Sequence, residues 1–238
     1  MSTWPTAVIV GAGPGLGLAL ARRFAREGFA LALVARREST LAELAQSLSA
    51  LGPRLKTYAA DAADAGAVDA VCAATLRDLG EPSVLIYNAG SYQPGGLADI
   101  TPEQFEAAWK IGCMGAFLFA RRLVPAMADA GRGSVLLTGA TAAWRGGKGF
   151  ATLAVPKFGL RALAQSMARE YGPQGVHVAH VVIDGQIDTP RLRAGDPDRP
   201  EHTVLAPDAI AESYWQLHCQ DASAWTLEMD LRPAVERF

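Results

Sequence analysis

The sequence predicts an α/β domain of the Rossmann type, a doubly wound parallel sheet of about seven strands with helices on both faces. Short, continuously apolar segments alternate with segments that repeat apolar residues every three to four positions. Half of the 238 residues are hydrophobic and 19% are charged, which is typical of a compact globular chain. Because residues 1–238 contain no linker, repeat or low-complexity stretch, we expect a single domain.

Seven segments are predicted to be strands, because most of them are short and apolar throughout, as parallel strands buried on both faces are. They are residues 7–10, 30–35, 55–59, 84–87, 134–138, 176–183 and 225–231.

Six segments between these strands have the apolar spacing of helices that pack on a sheet. They are residues 16–27, 41–51, 65–79, 102–127, 156–171 and 207–219. The least regular segment, 188–206, is rich in Pro, Gly, Asp and Arg, and we expect it to form a mobile lid or loop rather than a domain boundary.

The composition excludes several classes of partner. A formal net charge of −2 gives no basic surface for nucleic acid or for an anionic membrane, so we expect a small-molecule substrate. The three cysteines are odd in number and far apart, which favours a reducing cytoplasm over a disulfide framework or a zinc site. Residues 1–21 carry no charge, but four glycines between positions 11 and 17 argue against a membrane helix or signal peptide.

Those glycines form a loop between the first predicted strand and the first predicted helix. Backbone N–H groups at such a junction, together with the positive end of the helix, suit a pyrophosphate. The G-x-G-x-x-G spacing fails, since its third glycine would fall on Leu16, whereas the G-x-x-x-G-x-G spacing fits. The candidate cofactor contacts in this loop are Gly11, Gly13, Gly15, Leu16 and Gly17.

The chain resembles the short-chain dehydrogenase/reductase family over essentially its whole length. The resemblance rests on the glycine spacing, on Asn88-Ala89-Gly90 after the fourth predicted strand, and on Lys157 in the helix 156–171. It implies a nicotinamide cofactor, and a homodimer or homotetramer formed through the helices 102–127 and 156–171.

Further cofactor contacts are implied by the resemblance. Asn88, Ala89 and Gly90 would contact the adenosine side, and Asp61 would lie near the adenine ring, although Asp61 is equally well explained as a helix-start residue. Lys157 would hold the nicotinamide ribose. The nicotinamide amide would be held by a segment in which Asp184 replaces the usual proline. Its matching residues are Gly185, Ile187 and Thr189.

The end of the second predicted strand bears on the choice between NAD(H) and NADP(H). An acidic residue there would bind the 2′-hydroxyl of NAD, but the sequence reads Ala35-Arg36-Arg37. Two arginines suit a 2′-phosphate, so NADP(H) is favoured over NAD(H). The alternative is that both arginines are simply solvated at the start of a loop.

The same resemblance shows where the chain departs from the family. The proton-donating tyrosine would lie four residues before Lys157, where the sequence has Leu153. The positions of the family's serine and asparagine are Ala140 and Gly112, so three of the four proton-relay residues are absent. A shift of the alignment could bring Thr138 or Thr141 to the serine position, but Lys157 fixes the register at Leu153.

Three other groups could supply the missing proton. Tyr92 follows the Asn88-Ala-Gly motif, and Asp184 lies beside the nicotinamide segment; either could instead have a packing or capping role. Lys157 itself could titrate at lower pH in an apolar setting. His177 and His180 lie on a buried strand, where we expect core or interface histidines.

These observations favour an NAD(P)(H)-dependent oxidoreductase with a rebuilt proton-delivery site. The first alternative is a non-catalytic NADP-binding protein that acts as a sensor or partner subunit. The second is a lyase or isomerase on the same fold, since fold alone does not decide function.

Overall fold

The structure is a computed structural model that describes residues 5–52 and 54–236. Its single sheet is parallel throughout, and the strand order β3-β2-β1-β4-β5-β6-β7 confirms the predicted doubly wound fold. Because the order reverses between β1 and β4, a cleft opens where these two strands end. The strands are β1 (Thr6–Val10), β2 (Ala30–Ala35), β3 (Leu55–Ala59), β4 (Pro82–Tyr87), β5 (Gly133–Thr138), β6 (Val176–Ile183) and β7 (Glu228–Leu231).

The helices cover both faces of the sheet. One apolar layer packs the sheet against the first, second and eighth helices, and the other packs it against the third, fifth and sixth. The helices are α1 (Leu16–Arg26), α2 (Glu38–Leu48), α3 (Ala65–Leu79), α4 (Pro102–Trp109), α5 (Gly115–Asp129), α6 (Ala151–Tyr171), α7 (Pro190–Gly195) and α8 (Pro207–His218).

Three predicted elements have different boundaries in the structure, for physical reasons. Helix α6 begins at Ala151 rather than at position 156, so Pro156 lies inside the helix, where it removes one backbone hydrogen bond without ending the helix. The last strand begins at Glu228 rather than at 225, because Trp225 stacks on His177 before the strand starts. The predicted helix 41–51 begins earlier, at Glu38, and ends in the 3₁₀ turn Ser49–Leu51.

The long central helix is continuous but irregular. Helices α4 and α5 are joined by a π-helical turn, Lys110–Met114, which contains the buried Gly112. By length and composition alone Pro102–Asp129 could cross a membrane, yet half of its most apolar window is buried inside the fold. Its C-terminal part, α5, packs against β4 and β5 as a core helix does.

The segment 188–206 is folded rather than structureless. It contains α7 and a 3₁₀ turn, Glu201–Thr203, and its ends are tied by a bridge between Ile187 and Leu205. Arg193 binds Asp188 through two hydrogen bonds, of 2.6 and 2.8 Å. A lid role for this segment stays a prediction.

Candidate functional site

A cleft of about 220 Å³ lies at the carboxyl ends of β1, β2, β3 and β4, where the strand order reverses. Eight of the residues predicted to bind the cofactor line it, although they come from four separate parts of the sequence. These residues are Gly11, Gly13, Arg36, Arg37, Asp61, Asn88, Ala89 and Gly90.

The glycine loop is held tightly against the end of β4. Gly11 has a φ of +83°, and a Cβ atom there would lie 2.5 Å from the backbone nitrogen of Ala89. The Asn88 side-chain amide donates to the Gly11 carbonyl at 3.1 Å, which fixes β4 to the loop. A Cβ on Gly13 would meet nothing within 4 Å, so the loop is open on the side that faces the cleft.

The start of α1 is suited to an anion. Its N-cap, Gly15, makes no side-chain cap, so the positive end of the helix stays available to a phosphate. Gly17 packs closely on the loop, because a Cβ there would lie 2.9 Å from the Ala12 Cα. The Leu16 side chain is buried in the core, which leaves only its backbone as a possible cofactor contact.

The predicted nicotinamide segment approaches the same loop from β6. Thr189 lies against Gly15, where a Cβ would be 2.6 Å from its Cγ2 atom. Ile187 and Thr189 line a separate groove around α7, not the cleft itself. Gly185 has a positive φ of +144°, which side chains disfavour, and Leu205 and Pro233 fill the space that a side chain would take.

The end of β2 presents two cations and no acid to the cleft. Arg36 and Arg37 are both exposed and both line the cleft wall. Thr40, in the first turn of α2, lines the same wall and was missed from the sequence. Thr40 follows Arg37 by three residues, and this short distance from the two arginines is the sequence signal that could have identified it.

Asp61 lies on the cleft wall and also orders a turn. Its carboxylate accepts a hydrogen bond from the backbone of Ala63 at 2.9 Å. The N-cap of α3 is a different residue, Asp64, which accepts from the backbone of Ala67. Asp61 is therefore exposed at the cleft without being the helix cap that the alternative interpretation required.

Lys157 lies at the edge of this cleft in an unusual environment. It is only 6% exposed, and its ammonium donates to the Thr138 carbonyl at 2.6 Å. Its Nζ atom would lie 3.6 Å from a Cβ on Gly90, so it reaches the end of β4. Burial lowers the pKa of Lys157 to about 8, a shift that the nearby Cys113 thiol partly opposes.

The structure shows what surrounds the three positions where the sequence departs from the family pattern. Gly112 has no room for a side chain, because a Cβ there would lie 2.6 Å from the Pro156 Cβ. Ala140 continues β5 in extended conformation, and Leu153 lies half-buried in the first turn of α6. Glycine, alanine and leucine at these positions carry no amide, hydroxyl or phenol group, and Pro156 occupies the space beside Gly112.

The two predicted substitute acids have different surroundings. Tyr92 is 44% exposed and stacks on Phe150 with ring centroids 5.0 Å apart. Asp184 is buried, and both of its carboxylate oxygens are engaged, one by the Thr141 hydroxyl and the other by Arg232 at 3.1 Å. These contacts favour an anchoring role for Asp184 over proton donation. In the described ranges no group of three or more His, Cys, Asp or Glu side chains could hold a metal ion.

The comparison with known proteins agrees with this geometry. Residues 5–199 match the short chain dehydrogenase family. The chain belongs to this family. The 3-dehydrosphinganine reductase TSC10A of Arabidopsis thaliana is 32% identical over 203 residues, which cover 84% of this chain and 61% of the plant enzyme.

Two solved structures share the fold over nearly the whole chain. A short-chain dehydrogenase from Rhodopseudomonas palustris is 37% identical, with a TM-score of 0.82, and the match covers 96% of this chain and 98% of the other. An alcohol dehydrogenase from Thermococcus sibiricus, complexed with 5-hydroxy-NADP, is 26% identical, with a TM-score of 0.88 and 98% coverage of both chains. The short-chain dehydrogenase family thus places this chain among oxidoreductases, some of which bind NADP-type cofactors.

Proposed function

We propose that this protein is an NADP(H)-dependent oxidoreductase that interconverts a carbonyl compound and an alcohol, with Lys157 in place of the missing tyrosine as proton donor. The observation that carries this proposal is the position of Lys157. Its buried ammonium lies at Gly90, on the edge of the predicted cofactor cleft, and its lowered pKa of about 8 makes it a usable acid near neutral pH.

The residues of the cleft fit a dinucleotide. The open Gly13 side of the loop and the uncapped start of α1 suit the pyrophosphate, and Arg36, Arg37 and Thr40 suit the 2′-phosphate of NADP. Asp61 and Asn88 would hold the adenosine side. When bound, the nicotinamide supplies or accepts the hydride.

Lys157 would perform the proton step. Carbonyl reduction leaves an oxyanion that needs both a proton and a hydrogen-bond donor, and a positioned acid contributes roughly 10²–10⁴-fold in rate. The ammonium provides both functions from one atom, whereas Leu153 and Ala140 provide neither. The amine that results takes up a proton from solvent after the product leaves.

The neighbouring side chains favour an apolar substrate. Leu153 has an aliphatic side chain where the resemblance implies a phenol. The stacked rings of Tyr92 and Phe150 lie in the loop after β4 and in the loop before α6. Thr152, in the first turn of α6, connects this helix to the loop that carries Tyr92, because its hydroxyl donates to the Gln93 carbonyl at 2.5 Å. Tyr92 stays a second candidate for the acid, because its hydroxyl is on an exposed side chain.

The competing proposal is an NADP-binding protein without catalysis. It is favoured by the repacking of Gly112 against Pro156, since a site under no catalytic demand can accept such a change. Both proposals require the cofactor to bind, so binding alone does not separate them.

A two-part experiment tests the proposal. NADPH binding is measured by the change in cofactor fluorescence, and NADPH oxidation is then followed with a panel of aldehydes and apolar ketones. The proposal expects binding and turnover, with turnover lowered roughly 10²–10⁴-fold in Lys157→Met and kept in the control Lys56→Met, because the Lys56 side chain is exposed on β3. Binding without turnover across the panel would support the non-catalytic protein, and substrate conversion without net NADPH oxidation would indicate a lyase or isomerase.

We further propose that the protein is a homodimer or homotetramer of the cytoplasm. Helices α4, α5 and α6 carry exposed apolar side chains of a kind that subunit contacts cover, namely Phe105, Phe117, Val155 and Phe158. The three cysteines are unpaired, in keeping with a reducing compartment. Light scattering would test the assembly: Phe117→Asp with Phe158→Asp should give a monomer, and an unchanged mass would contradict this interface.

A further inference from the structure

A buried histidine lies beside Lys157 on the α6 face of the sheet. His180, on β6, is paired in register with Leu137 on β5 and Glu228 on β7. Its Nδ1 atom lies 3.0 Å from the Glu228 carboxylate. The proton step proposed above makes no use of this pair.

The other ring nitrogen of His180, Nε2, is buried inside the fold. The residue is 1% exposed, and Nε2 makes no hydrogen bond within the described part of the chain. A carboxylate on Nδ1 selects the tautomer that carries its proton there, so Nε2 is an acceptor. Leaving a buried acceptor without a hydrogen bond destabilises the fold, and such groups are often retained for function.

Gly139 makes room for this nitrogen. A Cβ on Gly139 would lie 2.3 Å from His180 Nε2, so the imidazole occupies the space of a side chain at that position. The preceding residue, Thr138, accepts the hydrogen bond from the Lys157 ammonium. The lysine and the imidazole therefore meet two consecutive residues, the last residue of β5 and the one after it, directly before Ala140.

The other titratable and charged side chains around Lys157 and His180 form ion pairs or stay neutral. Arg161, one turn after Lys157 on α6, binds Glu228 through two hydrogen bonds, of 2.7 and 2.8 Å. Trp144 donates to the same carboxylate at 3.1 Å. On the other side of Lys157, burial raises the pKa of the Cys113 thiol and keeps it neutral. Lys157 and His180 are thus the groups here whose charges can change near neutral pH.

We propose that His180, held by Glu228, is a positioning residue that controls the protonation of Lys157. While the imidazole is neutral, its Nε2 lone pair favours the ammonium in an otherwise apolar site. When the imidazole is protonated, its charge repels the ammonium and lowers the pKa of Lys157. This proposal rests on the proposed function, because it matters to turnover only if Lys157 is the proton donor.

The protonation states agree with this assignment. Burial, the largest influence, lowers the pKa of His180, and repulsion from Lys157 and Arg161 lowers it further, against the opposing effect of Glu228. The imidazole is therefore neutral at pH 7, and Lys157 is largely an ammonium. In carbonyl reduction the proton passes from Lys157 to the substrate oxygen, and His180 undergoes no net change.

Side-chain NMR of the intact protein tests the coupling without any substrate. The chain has four lysines and four histidines, so the spectra are simple and the variants themselves assign the signals. In Lys157→Met, the pKa of His180 should rise, because a neighbouring cation has gone. His177 serves as an internal control: both of its ring nitrogens bind backbone carbonyls, at 3.0 and 2.9 Å, and its titration should not move.

The reverse experiment follows Lys157. In His180→Leu, its pKa should fall below about 8, because the acceptor has been replaced by an apolar group. Gly139→Ala provides a second variant that keeps every charge and only displaces the imidazole, and it should move the Lys157 titration in the same direction. In both variants NADPH affinity should stay within about threefold of the parent.

The outcomes separate the two proposals. A His180 titration that is the same with and without Lys157, or a Lys157 titration unchanged in Gly139→Ala and His180→Leu, would overturn the control by His180. Coupled titrations in a protein that oxidises no NADPH would uphold the coupling and reject the proposed function. With a substrate in hand, His180→Leu should also move the high-pH decline of the reduction rate to lower pH.

Discussion

The cofactor cleft and the proton-transfer position share one edge of the sheet but are built differently. The cleft is shaped by the backbone: Gly11 fits only with a positive φ and without a side chain, and Asn88 ties the loop to β4. The proton position depends on side chains, and Gly112 and Leu153 carry no reactive group where the family resemblance implies an asparagine and a tyrosine.

This difference has a physical reason. Changing Gly11 would disturb the packing between β1 and β4, so the fold itself maintains that part of the site. Replacing a tyrosine by leucine at position 153 removes chemistry at little cost in packing, because the position is half-buried at the start of a helix. A binding site made of backbone can therefore outlast the reactive side chains beside it.

The largest effect is expected at the proton position. Lys157→Met should lower NADPH oxidation by roughly 10²–10⁴-fold, the contribution of a positioned acid. Methionine fills a similar volume and removes a buried charge, so the protein should stay folded. Parallel measurements of turnover and thermal unfolding check this, and a folded variant with the parent rate would show that another group is the acid.

The next effect is expected in the glycine loop. Gly11→Ala imposes a left-handed φ on alanine and an overlap with Ala89, which together should lower the free energy of unfolding by roughly 2–4 kcal/mol. NADPH affinity should fall with it. Gly13→Ala is the matched control, since its Cβ meets nothing within 4 Å, and its unfolding free energy should change by about 0.5 kcal/mol or less. Equal stability of the two variants in denaturant titrations would contradict the predicted loop packing.

Cofactor choice gives a smaller expected effect within the same cleft. Removing Arg36 and Arg37 together should weaken NADPH binding by about 10–100-fold, from the loss of hydrogen bonds worth roughly 1.5–3 kcal/mol, and leave NADH binding nearly unchanged. The control is Arg22→Ala with Arg26→Ala, which removes the same charge from α1 outside the cleft. If NADPH and NADH affinities fell equally, the arginines would not be reading the 2′-phosphate.

The smallest expected effect concerns the repacked position. Gly112→Asn should destabilise the fold by roughly 1–3 kcal/mol, because the new side chain overlaps Pro156. Pro156→Gly, which removes the overlapping Cβ, should relieve that penalty, giving a coupling of about 0.5–3 kcal/mol in a double-mutant cycle of unfolding free energies. Additive effects would mean that the two positions are independent. Restoring the asparagine, serine and tyrosine therefore also requires a change at Pro156.

The sequence predicted the fold because its signals are local. Seven apolar segments correspond to seven strands, and the glycine spacing and Asn88 motif correspond to residues that line the cleft. The predicted start of α6 was wrong because proline is common at the first position of a helix, whereas Pro156 lies inside α6. The π-helical turn was not predicted, since it depends on packing between Gly112 and a residue more than forty positions away.

The contacts that the sequence did not reveal join distant positions. His180 and Glu228 are separated by 48 residues and meet only because β6 and β7 are neighbours. Asp184 was proposed as an acid from its place in the motif, but its pairing with Arg232 depends on the end of β7. Side-chain partners of this kind follow from the strand order, which no local pattern specifies.

The most direct test of the account is the pH dependence of NADPH oxidation with the best carbonyl substrate of the panel. Because the ammonium of Lys157 is the proposed donor, the rate should fall as the pH rises through about 8, approaching tenfold per pH unit above it. The residual rate of Lys157→Met should show no such decline. A rate that stays constant from about pH 7 to 9, or a decline that persists in Lys157→Met, would contradict the transfer of the proton step to this lysine.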